Sequence, residues 1–108
     1  MTKETEHILV LVTCPGTITA KQIAQDLVAN KVAACVNIVP GLISYFRWGN
    51  KVESDDEVLL MIKTTSACFP AIKKRIKSLH PHELPEIIAV SVKDGLKDYL
   101  RWIEDSTK

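Results

Sequence analysis

What most constrains this chain is the stretch between its second and third strand candidates. From Leu42 to Glu57 it reads LISYFRWGNKVESDDE, with no helical period and with a Gly49-Asn50 step set between β-forming residues. Glycine supplies the positive φ that the first position of a two-residue hairpin turn can require. A doubly wound fold would need a crossover helix at this point. The two strands are therefore expected to be antiparallel neighbours.

The flanking segments fill in the rest of the plan. HILVLVTCP (His7 to Pro15) is a short continuous apolar run closed by Pro-Gly, the pattern of a strand buried on both faces. In TITAKQIAQDLVANK, Thr19 and Gln22 have capping-box spacing, Ile23 and Leu27 give an apolar helix stripe, and Asn30 is a left-handed stop. AACVNIV is a second buried strand, expected to end at Pro40-Gly41. The ESDDE run (Glu53 to Glu57) is expected to form a bulge or solvated kink before the strand VLLMIKTT. SACFPAIKKRIKSL places Phe69, Ile72, Ile76 and Leu79 at helical spacing, with Pro70 tolerated in the first turn. IIAVSV is a fourth strand. Asp94 is positioned to cap a last helix whose apolar face is Leu96, Tyr99, Leu100 and Ile103. Strand, helix, strand, hairpin, strand, helix, strand, helix is an α+β order. It predicts a single domain over residues 1–108: a ferredoxin-like βαββαβ sandwich with an extra C-terminal helix and an antiparallel sheet carrying a long hairpin.

Composition removes several classes of function. Fourteen Lys and Arg against thirteen Asp and Glu leave no electrostatic footprint for nucleic acid or an anionic membrane. The one basic run, KKRIK (Lys73 to Lys77), has the spacing of a solvated helix face. No segment approaches the ~20 consecutive apolar residues of a membrane helix. The polar opening MTKETEH has no signal-peptide character, so a cytoplasmic location is expected. Three cysteines, Cys14, Cys35 and Cys68, with no C-x-x-C spacing, argue against a disulfide framework and against a Cys-only zinc site. No Gly-rich phosphate loop is present.

The chemistry concentrates in HPHELPEI, residues 80–87. In the expected topology this loop lies beside the end of the first strand, and hence near Cys14. Pro81 holds His80 extended, so His80 and His82 share a side, with Glu83 opposite. A thiol and two imidazoles suit Cu, Zn or Ni. The competing interpretation is a polar connector beside a small buried cysteine. Acid–base work by Glu83 or Glu86 has no accompanying nucleophile motif. Tyr45, Phe46 and Trp48 exceed what one small sheet can cover, which suggests a subunit interface or else packing within the chain. Lys63 is either a snorkelling edge residue or an anion contact. Tyr99 and Trp102 belong to core or interface.

TCP (Thr13 to Pro15), VAACVNI (Val32 to Ile38), SYFRWGNKVE (Ser44 to Glu53), IKTT (Ile62 to Thr65), HPHELPEI and YLRWIE (Tyr99 to Glu104) together resemble the CutA family of divalent-cation tolerance proteins. The resemblance implies a homotrimer with hairpins crossing between subunits, as in P-II signalling proteins. It implies divalent metal ions, copper foremost, as partners, and it brings no enzymatic reaction. His80, Pro81, Glu83, Pro85 and Glu86 match the family pattern H-P-Y-E-x-P-E, with His82 in place of the tyrosine. Where the family's proposed copper ligands would stand, this sequence has Val12 and Leu79, and only His80 coincides. A local set of Cys14, His80 and His82 is the metal-site expectation. The alternative is a P-II-like cleft between subunits in which Glu83, Glu86, Lys63 and Tyr99 receive a small anion or a partner loop. An enzyme using Glu83 or Cys35, and a scaffold whose function is trimerisation itself, are further alternatives.

Overall fold

The computed structural model describes residues 6–108. The opening segment taken above as no signal peptide lies mostly outside them. In order the chain forms β1 (His7–Cys14), α1 (Thr17–Ala29), β2 (Cys35–Trp48), β3 (Lys51–Thr65), a 3₁₀ turn (Ser66–Cys68), α2 (Phe69–Leu79), β4 (Ile87–Ser91) and α3 (Lys97–Ser106). The sheet order is β2-β3-β1-β4, and every neighbouring pair is antiparallel. This is the expected ferredoxin-like plan, with the hairpin closed between Trp48 and Lys51 and Gly49 at φ +64°.

Alternation along the strands divides the sheet into two unlike faces. Ile8, Val10, Val12 and Cys14 of β1 and Val58, Leu60, Ile62 and Thr64 of β3 point toward the helices and are buried. Ile23 and Leu27 of α1 and Ile72 and Ile76 of α2 close over them, each fully buried. Burial of each such side chain is worth roughly 1.5–3 kcal/mol, which is what holds two short helices to the sheet. Arg75 of α2 grips Asp26 of α1 through two hydrogen bonds of 2.7 and 3.1 Å, tying the helices together at their rim. The Thr64 hydroxyl, inside the core, donates to the Val32 carbonyl at 2.6 Å. The other face has no such cover. Leu9, Leu11, Leu59 and Met61 stay partly exposed, and Ile88 and Val90 are about half exposed.

Several local expectations are corrected. Pro40-Gly41 does not end β2. The strand runs on to Trp48, and the pair forms a bulge between the Val39–Leu59 and Leu42–Glu57 pairings, with Gly41 at φ +84°. A bulge accommodates both the missing proline N–H and the left-handed glycine. The bulge or kink expected at ESDDE is thus not in that run: β3 is continuous from Lys51 to Thr65, and the bulge lies on the facing strand, next to the partner of Glu57. α1 starts at Thr17 with Gly16 as its N-cap and no side-chain cap, so Thr19 and Gln22 lie within the helix. Asn30 does end it, but the left-handed residue is Lys31 at φ 60°. Asp94 accepts the Gly95 N–H at 2.8 Å, and α3 begins three residues after it without a side-chain cap. Lys63 is not on an edge: β3 is an interior strand, and the Lys63 amine donates to the Asn37 side chain on the uncovered face.

Candidate functional site

α2 ends where Pro81 forbids its continuation. His80 adopts the extended conformation expected before proline (φ −81°, ψ 134°), and its backbone N–H closes the helix on Ile76 O at 2.8 Å. The ring then turns back under the end of β1 and is buried. Its Nε2 donates to the Thr13 carbonyl at 2.8 Å, and its Nδ1 accepts the His82 backbone N–H at 3.1 Å. The His82 ring meets it edge-on at a centroid distance of 4.9 Å but is itself exposed. The loop thus sits beside the end of β1, as the topology implied.

Cys14 behaves differently from a ligand. Its side chain points into the core beneath the helices and is fully buried. Burial first, and the nearby Glu57 carboxylate second, push the thiol up from 9.0 to about 11, which disfavours the thiolate that a metal requires. Among the described residues no group of three or more His, Cys, Asp or Glu side chains gathers closely enough to hold a metal ion. Cys14, His80 and His82 are neighbours in topology, but they do not fit a resident transition metal.

On its outer side the loop walls a groove of about 970 Å³ whose opposite wall is the β2–β3 hairpin. Three carboxylates enter from alternate positions of β3, Glu53, Asp55 and Glu57, and two from the loop, Glu83 and Glu86. Alternate residues share one face of a strand, and the continuity of β3 keeps these three aligned. None of the five makes an ion pair among the described residues, and Arg47 is the one Lys or Arg side chain lining the groove. Phe46, Trp48 and Leu84 supply apolar wall. The three β3 carboxylates were missed in the sequence because ESDDE reads as a solvated run. Their spacing of two was the available signal.

Glu83 and Glu86 share this groove, but within one chain Lys63 and Tyr99, expected beside them in a cleft between subunits, do not join them. Lys63 pairs with Leu9 near the start of β1, and Tyr99 stacks with Trp102 on α3 at 5.4 Å. Both lie toward the opposite end of the sheet.

The order of elements, the bulged long hairpin and the proline-bounded loop invite comparison with known proteins. The sequence profile described as "CutA1 divalent ion tolerance protein" matches residues 8–106. The chain belongs to that family. The divalent-cation tolerance protein CutA of Thermus thermophilus is 48% identical over 99 residues, covering 92% of this chain and 96% of the relative. Protein CutA of Mus musculus is 44% identical over 97 residues, and there the chain spans only 55% of the relative's length. Among solved structures, CutA1 of Thermus thermophilus superposes with a TM-score of 0.93 at 46% identity, covering 94% of this chain and 99% of that one. CutA1 of Oryza sativa superposes at 0.94 with 39% identity, covering 99% and 98%. The family's description names tolerance of divalent ions. Relatives carry the words periplasmic and chloroplastic in their names, so the family itself fixes no compartment. No described helix is long and apolar enough to cross a membrane.

Proposed function

We propose that this chain serves divalent-cation tolerance as a homotrimer that meets metal ions at the acidic groove, with copper, zinc and nickel the ions to test first and the cytoplasm the compartment. The supporting observation is the groove itself. Five carboxylates with one opposing cation create a negative potential that raises the local concentration of cations. The exposed imidazole of His82 on the same wall adds a nitrogen donor for a borderline metal. Of the expected metal ligands Cys14, His80 and His82, this proposal keeps only His82, because Cys14 is held as a neutral thiol in the core and both His80 nitrogens are engaged. Glu83 and Glu86, expected to receive an anion or a partner loop, are reassigned to the cation. With no preassembled cluster, binding is expected to be weak and exchangeable.

The trimer has separate support. Tyr45 is 76% exposed, Trp48 63% and Val52 70%, and with the half-exposed Ile88 and Val90 of the uncovered sheet face they leave large apolar side chains without cover on a single chain. An anion at this groove is disfavoured by the same charges that attract metal. Calorimetric titration of the reduced protein with Cu, Zn and Ni ions, beside Glu83→Gln/Glu86→Gln and His82→Ala, tests the proposal. Binding that weakens about tenfold in the carboxylate variant supports it. Binding unchanged in both variants, or no binding at all, contradicts it.

A further inference from the structure

The family pattern carries His80 into this chain as the one position coinciding with the expected copper ligands, but the geometry gives it another task. A carbonyl oxygen only accepts, so the contact with Thr13 requires a hydrogen on Nε2. A backbone amide only donates, so the contact with His82 occupies the lone pair on Nδ1. Those two contacts exhaust a neutral imidazole. A metal on Nδ1 would displace the His82 amide, and a metal on Nε2 would strip the proton from the Thr13 contact. Either route leaves a backbone polar group without its partner at a ring only 7% exposed.

We infer that His80 is the positioning residue of the 80–86 loop and not a metal ligand. It ties together three segments through three contacts: α2 by its backbone N–H, the end of β1 by Nε2, and the loop by Nδ1. This clasp fixes where Glu83 and Glu86 stand on the groove wall, and it leaves His82 as the imidazole that faces solvent. The role of His80 stands whether or not metal binds; only the statement about His82 rests on the proposed function.

Long-range ¹⁵N–¹H correlation of the histidine rings in the full, reduced chain tests the inference, with one equivalent of Zn ion as probe and His80→Gln and His80→Ala as variants. We expect His80 as the Nε2–H tautomer with nitrogen resonances unmoved by zinc. Glutamine can donate through its side-chain nitrogen in place of Nε2. His80→Gln is therefore expected to keep amide-exchange protection in the loop within a few-fold of wild type, whereas His80→Ala loses about tenfold or more. Zinc-dependent shifts of the His80 nitrogens, an Nδ1–H tautomer, or protection equally lost in both variants would each overturn the assignment. If zinc moves neither ring, the proposed metal contact of this loop fails, while the tautomer and the glutamine rescue still decide the role of His80.

Discussion

The two faces of the sheet are made by the same strands, one residue out of phase, yet they are finished differently. Val10 and Val12 are fully buried under α1 and α2, while Leu9 and Leu11 on the other side stay partly open beside the half-exposed Ile88 and Val90. The covered face carries helices tied to each other and to the strands. Beyond the helices both faces of the hairpin are open: Trp48 continues the uncovered face, while Tyr45 and Val52 project from the other side, past the end of the helical cover. The chain completes one core by itself and leaves the other face open, the surface that the proposed trimer would cover. Alternation puts Glu53, Asp55 and Glu57 on that open side, so the groove adjoins the proposed assembly surface.

The largest expected effect distinguishes the faces directly. Ile62→Ala, on the covered face, should cost about 2–5 kcal/mol in urea unfolding through the cavity it leaves. Met61→Ala, next along the strand, should cost far less in a dissociated chain. Equal losses would mean that the open face is already packed within one chain. Next, Ile88→Asp places a charge in the open face and should shift the sedimenting species toward single chains while far-UV circular dichroism is retained. Loss of fold together with loss of assembly would mean that the two faces are not independent. His80→Ala should then cost about 1–3 kcal/mol, because the Thr13 carbonyl loses its donor at a partly buried strand end. The smallest effect is one of pH. The folded chain keeps the Cys14 proton up to about 11 whereas the ordinary thiol releases it near 9.0. The native state therefore binds the extra proton in that interval, and stability should be full below pH 9 and decline as the pH rises toward 11. Thermal unfolding across that range, compared with Cys14→Ala, checks the slope; identical slopes would show that the thiol is not held neutral by burial.

Legibility in the sequence followed the same division. The covered face was readable, because period-two and helical apolar spacing report burial locally: Ile23, Leu27, Ile72 and Ile76 fell where the stripes put them. The turn at Gly49 was readable from chemistry alone. Features imposed by distant partners were not. Pro40-Gly41 reads as a terminator, and only pairing with β3 turns it into a bulge. Lys63 reads as an edge residue until the strand order places β2 and β1 on either side of β3. The loop's position followed from topology, but the engagement of both His80 nitrogens depends on Thr13, 67 residues away in sequence. Thr19 with Gln22, and Asp94, show that capping spacing is necessary and not sufficient, since the chain entered both helices elsewhere.

An interface between copies of this chain at the uncovered face and hairpin, as proposed, makes the oligomeric state the decisive observable. Sedimentation equilibrium of the full chain over a range of concentrations tests it most directly. A mass of three 12.0 kDa chains, persisting on dilution, is expected. A stably folded species of single-chain mass at every concentration would contradict it.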